Sequence, residues 1–157
     1  DDADRLLDNV VWMVKIAQRL SVPVLVSEQY PKGLGPTVQA LRDLIPAEAI
    51  VSKMHFSCVA DGCLKPLLDD TRPQVVVCGI ESHICVLQTA LDLQSSGRQV
   101  FVVADCVASR DPSNRGLALE RLRQHGVVVV SREMVAFEWL GAAGSEEFRE
   151  ISRTYLR

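Results

Sequence analysis

The sequence predicts an α/β domain in which helices cover both faces of a parallel sheet, and three observations point that way. Short Val-rich runs alternate with amphipathic segments along the chain. Those runs are apolar throughout, as strands buried on both faces are. No internal repeat, low-complexity tract or interdomain linker interrupts the alternation. The 157 residues are one domain's worth of chain, so residues 1–157 read as a single unit.

Leu6, Leu7, Val10, Val11, Val14, Ala17 and Leu20 recur at three- and four-residue steps, which predicts an amphipathic helix over 3–20. Val22-Pro23-Val24-Leu25-Val26 reads as the first strand. Glu28 to Pro36 holds two Gly and two Pro, and is expected to be a shaped loop without regular structure. A short helix over 37–44, a strand over 49–52 and a helix at about 60–69 follow. Gln74 to Ile80 is the strongest strand of the chain, and 83–96 the helix after it, ended by Gly97. A strand over 99–104, a loop through Asp105 and Asp111, a helix over 113–125 and a strand over 127–130 come next. Helices over 132–140 and 145–156 close the chain, with Ser145-Glu146-Glu147 a capped start for the last.

Composition excludes several classes of function. The chain is 48% hydrophobic and 24% charged with a formal net charge of −3. It has no basic run, so a nucleic-acid partner is not expected. No apolar stretch approaches the roughly 20 residues that span a bilayer, so no membrane association is expected either. The five cysteines, Cys58, Cys63, Cys78, Cys85 and Cys106, are odd in number and irregular in spacing. Reduced thiols in a cytoplasmic protein are the simpler account. Asp1-Asp2-Ala3-Asp4-Arg5 carries no signal peptide or initiator Met and enters a helix almost at once. We therefore expect the sequence to start inside a longer gene product.

Chemistry is expected at the carboxyl ends of the strands, in 28–36, 53–58, 79–85 and 105–111. Gly79-Ile80-Glu81-Ser82-His83-Ile84-Cys85 runs from the strongest strand into a helix and places Cys85 in its first turn. Free N–H groups and the positive end of the helix dipole favour a thiolate there, and the same groups could hold an oxyanion. A buried apolar cysteine facing the sheet is the competing reading. Lys53, at the end of the strand before, could support the thiolate or stand as a solvated lysine. His83 sits two residues from Cys85, on a different face of the helix, so a Cys–His pair is disfavoured. Asp105 could touch a ligand, but a structural role in its loop is preferred.

Gly79 to Ala90, with Cys85 at its centre, resembles the nucleophile motif of isochorismatase-like cysteine hydrolases. Lys53-Met54-His55-Phe56-Ser57-Cys58 is similar to the lysine motif of that family. Ser27 to Thr37 resembles the branch called isochorismatase domain-containing proteins, and the likeness runs through essentially the whole chain.

The resemblance implies a Rossmann-like, three-layer α/β/α fold and a Cys-Asp-Lys triad. Cys85 then stands at the nucleophile and Lys53 at the lysine, with a non-proline cis peptide at Ile80–Glu81 and N–H groups of Ile84 and Cys85 aimed at the substrate. Glu28, Tyr30, Leu34 and Phe56 are expected around the pocket. The acid is not found: the family's aspartate ends a first, central strand, and none of Asp1, Asp2, Asp4 or Asp8 lies on one. That strand is expected to lie upstream of Asp1, and the chain without it to be poorly stable and inactive. No cofactor is expected. No metal is expected, because Glu28 to Pro36 has no His or Asp and His55, His83 and His125 are scattered. The expected activity is metal-independent hydrolysis of a small amide, carbamoyl or vinyl-ether substrate by a homo-oligomer. The alternatives are an idle relative acting as an oligomeric interaction protein, and a flavodoxin-like binding module.

Overall fold

The computed structural model describes residues 2–65, 68 and 71–156. Helix α1 (Asp2–Arg19) leads to β1 (Val26–Gln29), the single-turn helices α2 (Pro31–Leu34) and α3 (Gln39–Arg42), and β2 (Ile50–Lys53). Then come α4 (Cys58–Asp61), β3 (Gln74–Ile80), a π turn (Ser82–Val86) continuous with α5 (Leu87–Ser95), and β4 (Gln99–Ala108). Helix α6 (Pro112–Gln124), β5 (Val128–Val130), α7 (Arg132–Leu140) and α8 (Glu146–Tyr155) complete the chain.

Every strand pair is parallel, but the strands form two sheets: β1 with β2, and β3-β4-β5 in that order. Among the described residues nothing pairs with the second edge of β1 or of β3. Alternation along β4 sets the layers around the larger sheet. Val100 and Val102 pack with Val86, Ala90 and Leu93 on the α5 side and with Leu119 and Leu122 of α6. Val103 and Cys106 face the other way, against Met13 of α1 and Val135 of α7. Helix α8 seals the outside, its Ile151 fully buried with Ile16 and Ala136.

Several boundaries depart from the sequence expectations for physical reasons. The apolar run Val22–Leu25 is not a strand: β2 begins only at Ile50, after a 3₁₀ turn at Ala47–Ala49, so the run has no ladder partner among the described residues. Pro31 at the first position lets a helical turn form inside the loop expected to lack one. Tyr30, in a left-handed conformation, lays its ring over Gly33, where a Cβ would lie 2.2 Å from the ring. Strand β4 runs on to Ala108 by re-pairing with Gly79 and Ile80 beyond a bulge, so Asp105 lies on a strand and not in a loop. Helix α4 is short, ending where Gly62 turns left-handed; part of the expected 60–69 helix lies outside the described residues.

Candidate active site

Cys85 and Lys53 arrive from different sheets and meet through a third residue, Gln29. Lys53 ends β2 in register with Gln29 at the end of β1, so the two side chains share a face. Although only 4% exposed, Lys53 meets no carboxylate among the described residues. Its ammonium donates to Gln29 Oε1 (2.5 Å), Phe56 O (2.8 Å) and His55 O (3.1 Å). Buried ammonium groups persist only where their donors are satisfied, and these acceptors do that. The half-buried Cys85 thiol donates to the same Gln29 oxygen across 3.9 Å.

The turn that supplies those carbonyls is itself tied down. Asp61 accepts from Met54 N (2.9 Å), His55 N (3.0 Å) and His55 Nδ1 (3.2 Å). The N–H groups of His55 and Met54 hold its carboxyl below the ordinary carboxylate range. Ser57 caps α4 through Val59 N and Ala60 N and donates to Asp92 of α5 at 2.5 Å, and Cys58 N donates to Thr89 of α5 at 3.0 Å. The small sheet is thereby fastened to the helix that carries Cys85.

On the Cys85 side, the Ile80–Glu81 peptide is cis and Ser82 is fully buried. The N–H of Ile84 donates to Glu81 O (3.1 Å), so that group is engaged within the turn. His83 turns away from the thiol, its Nδ1 2.9 Å from Ser109 Oγ and 3.5 Å from Glu81 Oε2. Asp105 bonds Arg132 N (2.9 Å), and its carbonyl accepts from Asn9 (2.6 Å), which ties α1 and α7 to β4.

The expected pocket residues are placed unevenly. Phe56 reaches the site through its carbonyl, with its side chain about half exposed. Leu34 and Tyr30 are exposed on α2 and its cap. Glu28 points elsewhere: it binds Thr37 N (2.8 Å), Thr37 Oγ1 (3.0 Å) and Ser52 Oγ (3.3 Å), and lines a cavity of about 310 Å³ with Arg42 and Ile45. The Thr37 N–H chiefly holds its carboxyl below the ordinary value. Among the described residues no group of three or more His, Cys, Asp or Glu could hold a metal ion. Sequence reasoning passed over Gln29 and Asp61. Only the pairing of β1 with β2, which no local pattern encodes, brings the first to Lys53.

The chain is thus a layered, parallel α/β protein with a cysteine in the turn after a strand and a buried lysine across from it. The chain belongs to the isochorismatase domain family, whose model matches residues 1–134. It is 44% identical to the isochorismatase domain-containing protein 2 of Bos taurus over 146 residues, covering 90% of this chain and 68% of that one. It is 41% identical to the secreted isochorismatase effector Isc1 of Phytophthora sojae, covering 90% and 70%. The solved structure of MAR1 ribonuclease from Caenorhabditis elegans superposes with a TM-score of 0.87 at 34% identity, covering 98% of this chain and 80% of that one.

Proposed function

We propose that this protein is a metal-independent cysteine hydrolase acting on a small amide, carbamoyl or vinyl-ether substrate, with Cys85 as nucleophile and Lys53 as the supporting cation. The observation that carries this reading is the shared contact of the Lys53 ammonium and the Cys85 thiol with one oxygen, Gln29 Oε1. It brings a buried cation and the thiol, in the turn that opens a helix, to one acceptor oxygen. With an amide, the thiolate adds to the carbonyl carbon and the tetrahedral oxyanion collapses to a thioester, expelling the protonated amine. Water then adds to the thioester, releasing the acid and regenerating the thiol. The N–H of Cys85 is the proposed donor to the oxyanion.

The proton acceptor in this mechanism is an aspartate on a strand upstream of Asp1, seated between β1 and β3. Support comes from the unpaired edges of those strands and from the absence of a carboxylate at Lys53 among the described residues. That second observation also favours the rival reading, an idle relative serving as an oligomeric interaction protein. The net charge of −3 gives no support to RNA as a substrate, despite the name of the nematode neighbour.

The test is release of ammonia or amine from a panel of small amides and carbamoyl compounds, by the full-length natural protein and by its Cys85→Ala variant. Turnover by the wild type alone, with an acyl adduct on Cys85 in the mass spectrum, supports the hydrolase. Turnover that survives Cys85→Ala removes it, and no turnover of any compound favours the idle relative.

A further inference from the structure

We propose that Cys58 and Cys63, at the two ends of α4, are a redox-active pair that closes to a disulfide when a low-molecular-weight disulfide such as oxidised glutathione supplies the oxidant. The inference is independent of the reading of Cys85 as nucleophile.

The shape of α4 brings the two thiols together. Cys58 is the first residue of the helix and is buried, whereas Cys63 lies just beyond its end and is half-buried. Between them Gly62 turns left-handed (φ 79°, ψ 2°), and its N–H donates back to Cys58 O (3.1 Å) and Val59 O (3.0 Å). A cap of this kind folds the chain over the last turn of its helix. Here the helix is a single turn, so Cys63 arrives against Cys58. Its Sγ donates to Cys58 O at 3.7 Å, and the two thiols are in hydrogen-bonding contact. A disulfide needs its two residues close together before it forms, and contacting sulfurs meet that need. Cys78 and Cys106 also share a thiol–thiol hydrogen bond, but Cys106 is wholly buried with Met13 of α1 and Val135 of α7, out of reach of a dissolved oxidant.

The exchange runs in two steps. The Cys63 thiolate attacks one sulfur of the glutathione disulfide, and one glutathione leaves. The Cys58 thiolate then attacks the Cys63 sulfur of the mixed disulfide, and the second glutathione leaves. Two protein thiols are oxidised to one disulfide, one glutathione disulfide is reduced to two thiols, and the protons given up by the cysteines go to the departing glutathiones. Burial, with the Cys58 thiol beside it, pushes the Cys63 thiol up to about 11. The thiolate is then scarce at neutral pH and the exchange is slow. The same property favours the linked state at equilibrium, because the reduced pair gains no stability from a thiolate. Closure takes Cys58 Sγ away from Ser27 Oγ (3.2 Å) and joins the two ends of the helix whose Ser57 and Cys58 hold α5.

The experiment incubates the full-length natural protein with excess glutathione disulfide at mildly alkaline pH, alkylates the remaining thiols, and maps each cysteine by peptide mass spectrometry before and after dithiothreitol. The expected product is an internal link between Cys58 and Cys63, lighter by two hydrogens than the reduced pair and reversed by dithiothreitol. In Cys58→Ala the link is lost, and Cys63 keeps a glutathione adduct instead. A wild-type Cys63 that keeps its glutathione, a Cys58 joined to Cys85, or two thiols still free at the end of the incubation overturns the proposal. Should the variant not fold, the wild-type map decides alone.

Discussion

Around β4, Val100, Val102, Val103 and Cys106 are wholly buried between helices on both faces, whereas no residue of β1 is buried and Lys53 is the buried member of β2. The first region is held by apolar area, at about 1.5–3 kcal/mol for each fully buried Val or Leu side chain. The second is held by side-chain hydrogen bonds: Asp61 to its turn, Glu28 to Thr37, and Ser57 and Thr89 to the bond between α4 and α5. The thiol comes from the packed region and the cation from the polar one. Stability and reactivity should therefore respond to different substitutions.

The sharpest separation comes from Lys53→Met. On the proposed mechanism, loss of the supporting cation should lower hydrolysis by about 10²–10⁴-fold, the range for a group that acts in the chemical step. It also leaves Gln29 Oε1, His55 O and Phe56 O without their donor, so a chemical unfolding curve should shift by about 1–3 kcal/mol. Leu122→Ala acts in the packed region. Leu122 is fully buried, and its truncation should cost about 2–5 kcal/mol in the same curve. Cys85 alkylation in the folded fraction should stay at the wild-type rate. Parallel losses in both measurements would show that the two regions are not separable.

How much of this was legible in the sequence follows the same division. Val-rich strands carry their own signal, and Gln74–Ile80 was predicted to the residue because both its faces are apolar. Helix α7 was legible too, expected over 132–140 and found at Arg132–Leu140. In the polar region the signal fails. Val22 to Leu25 is apolar enough for a strand, yet strand structure needs a partner, and none is present there among the described residues. The split of the sheet and the extension of β4 to Ala108 arise from pairing, which no local pattern encodes. Cys85 and Lys53 were found from motifs. Gln29 is one of several polar residues in its segment, and only the parallel register brings it to Lys53.

Smaller perturbations should loosen the polar region alone. Ser57→Ala removes the cap of α4 and the link to Asp92, and should cost about 1 kcal/mol. Amide exchange should then speed up at Val59 and Ala60 while β4 stays protected.

The mildest test is acidification. The Glu28 carboxyl lies below its ordinary value of 4.5 because Thr37 N–H binds the charged form. A depressed folded value means that the stabilisation is complete above the ordinary value and is lost as pH falls through the folded one. Protection of the Thr37 amide should hold at pH 6 and decay below roughly pH 4.5. Unchanged protection at lower pH would show that the loop is held by something other than Glu28.

The central claim is that one cysteine of five is built to react, and competitive alkylation tests it most directly. Burial pushes the Cys63 thiol up to about 11, and a thiol–thiol hydrogen bond with Cys78 together with burial pushes Cys106 up as well. Cys58 is buried, and Cys78 packs against the core on the α1 side. Native protein should be treated at neutral pH with limiting iodoacetamide, digested, and each cysteine peptide quantified. The account predicts modification at Cys85 well before any other cysteine, and loss of that preference in Lys53→Met. Equal labelling of all five, or faster labelling of Cys63 than of Cys85, would contradict it.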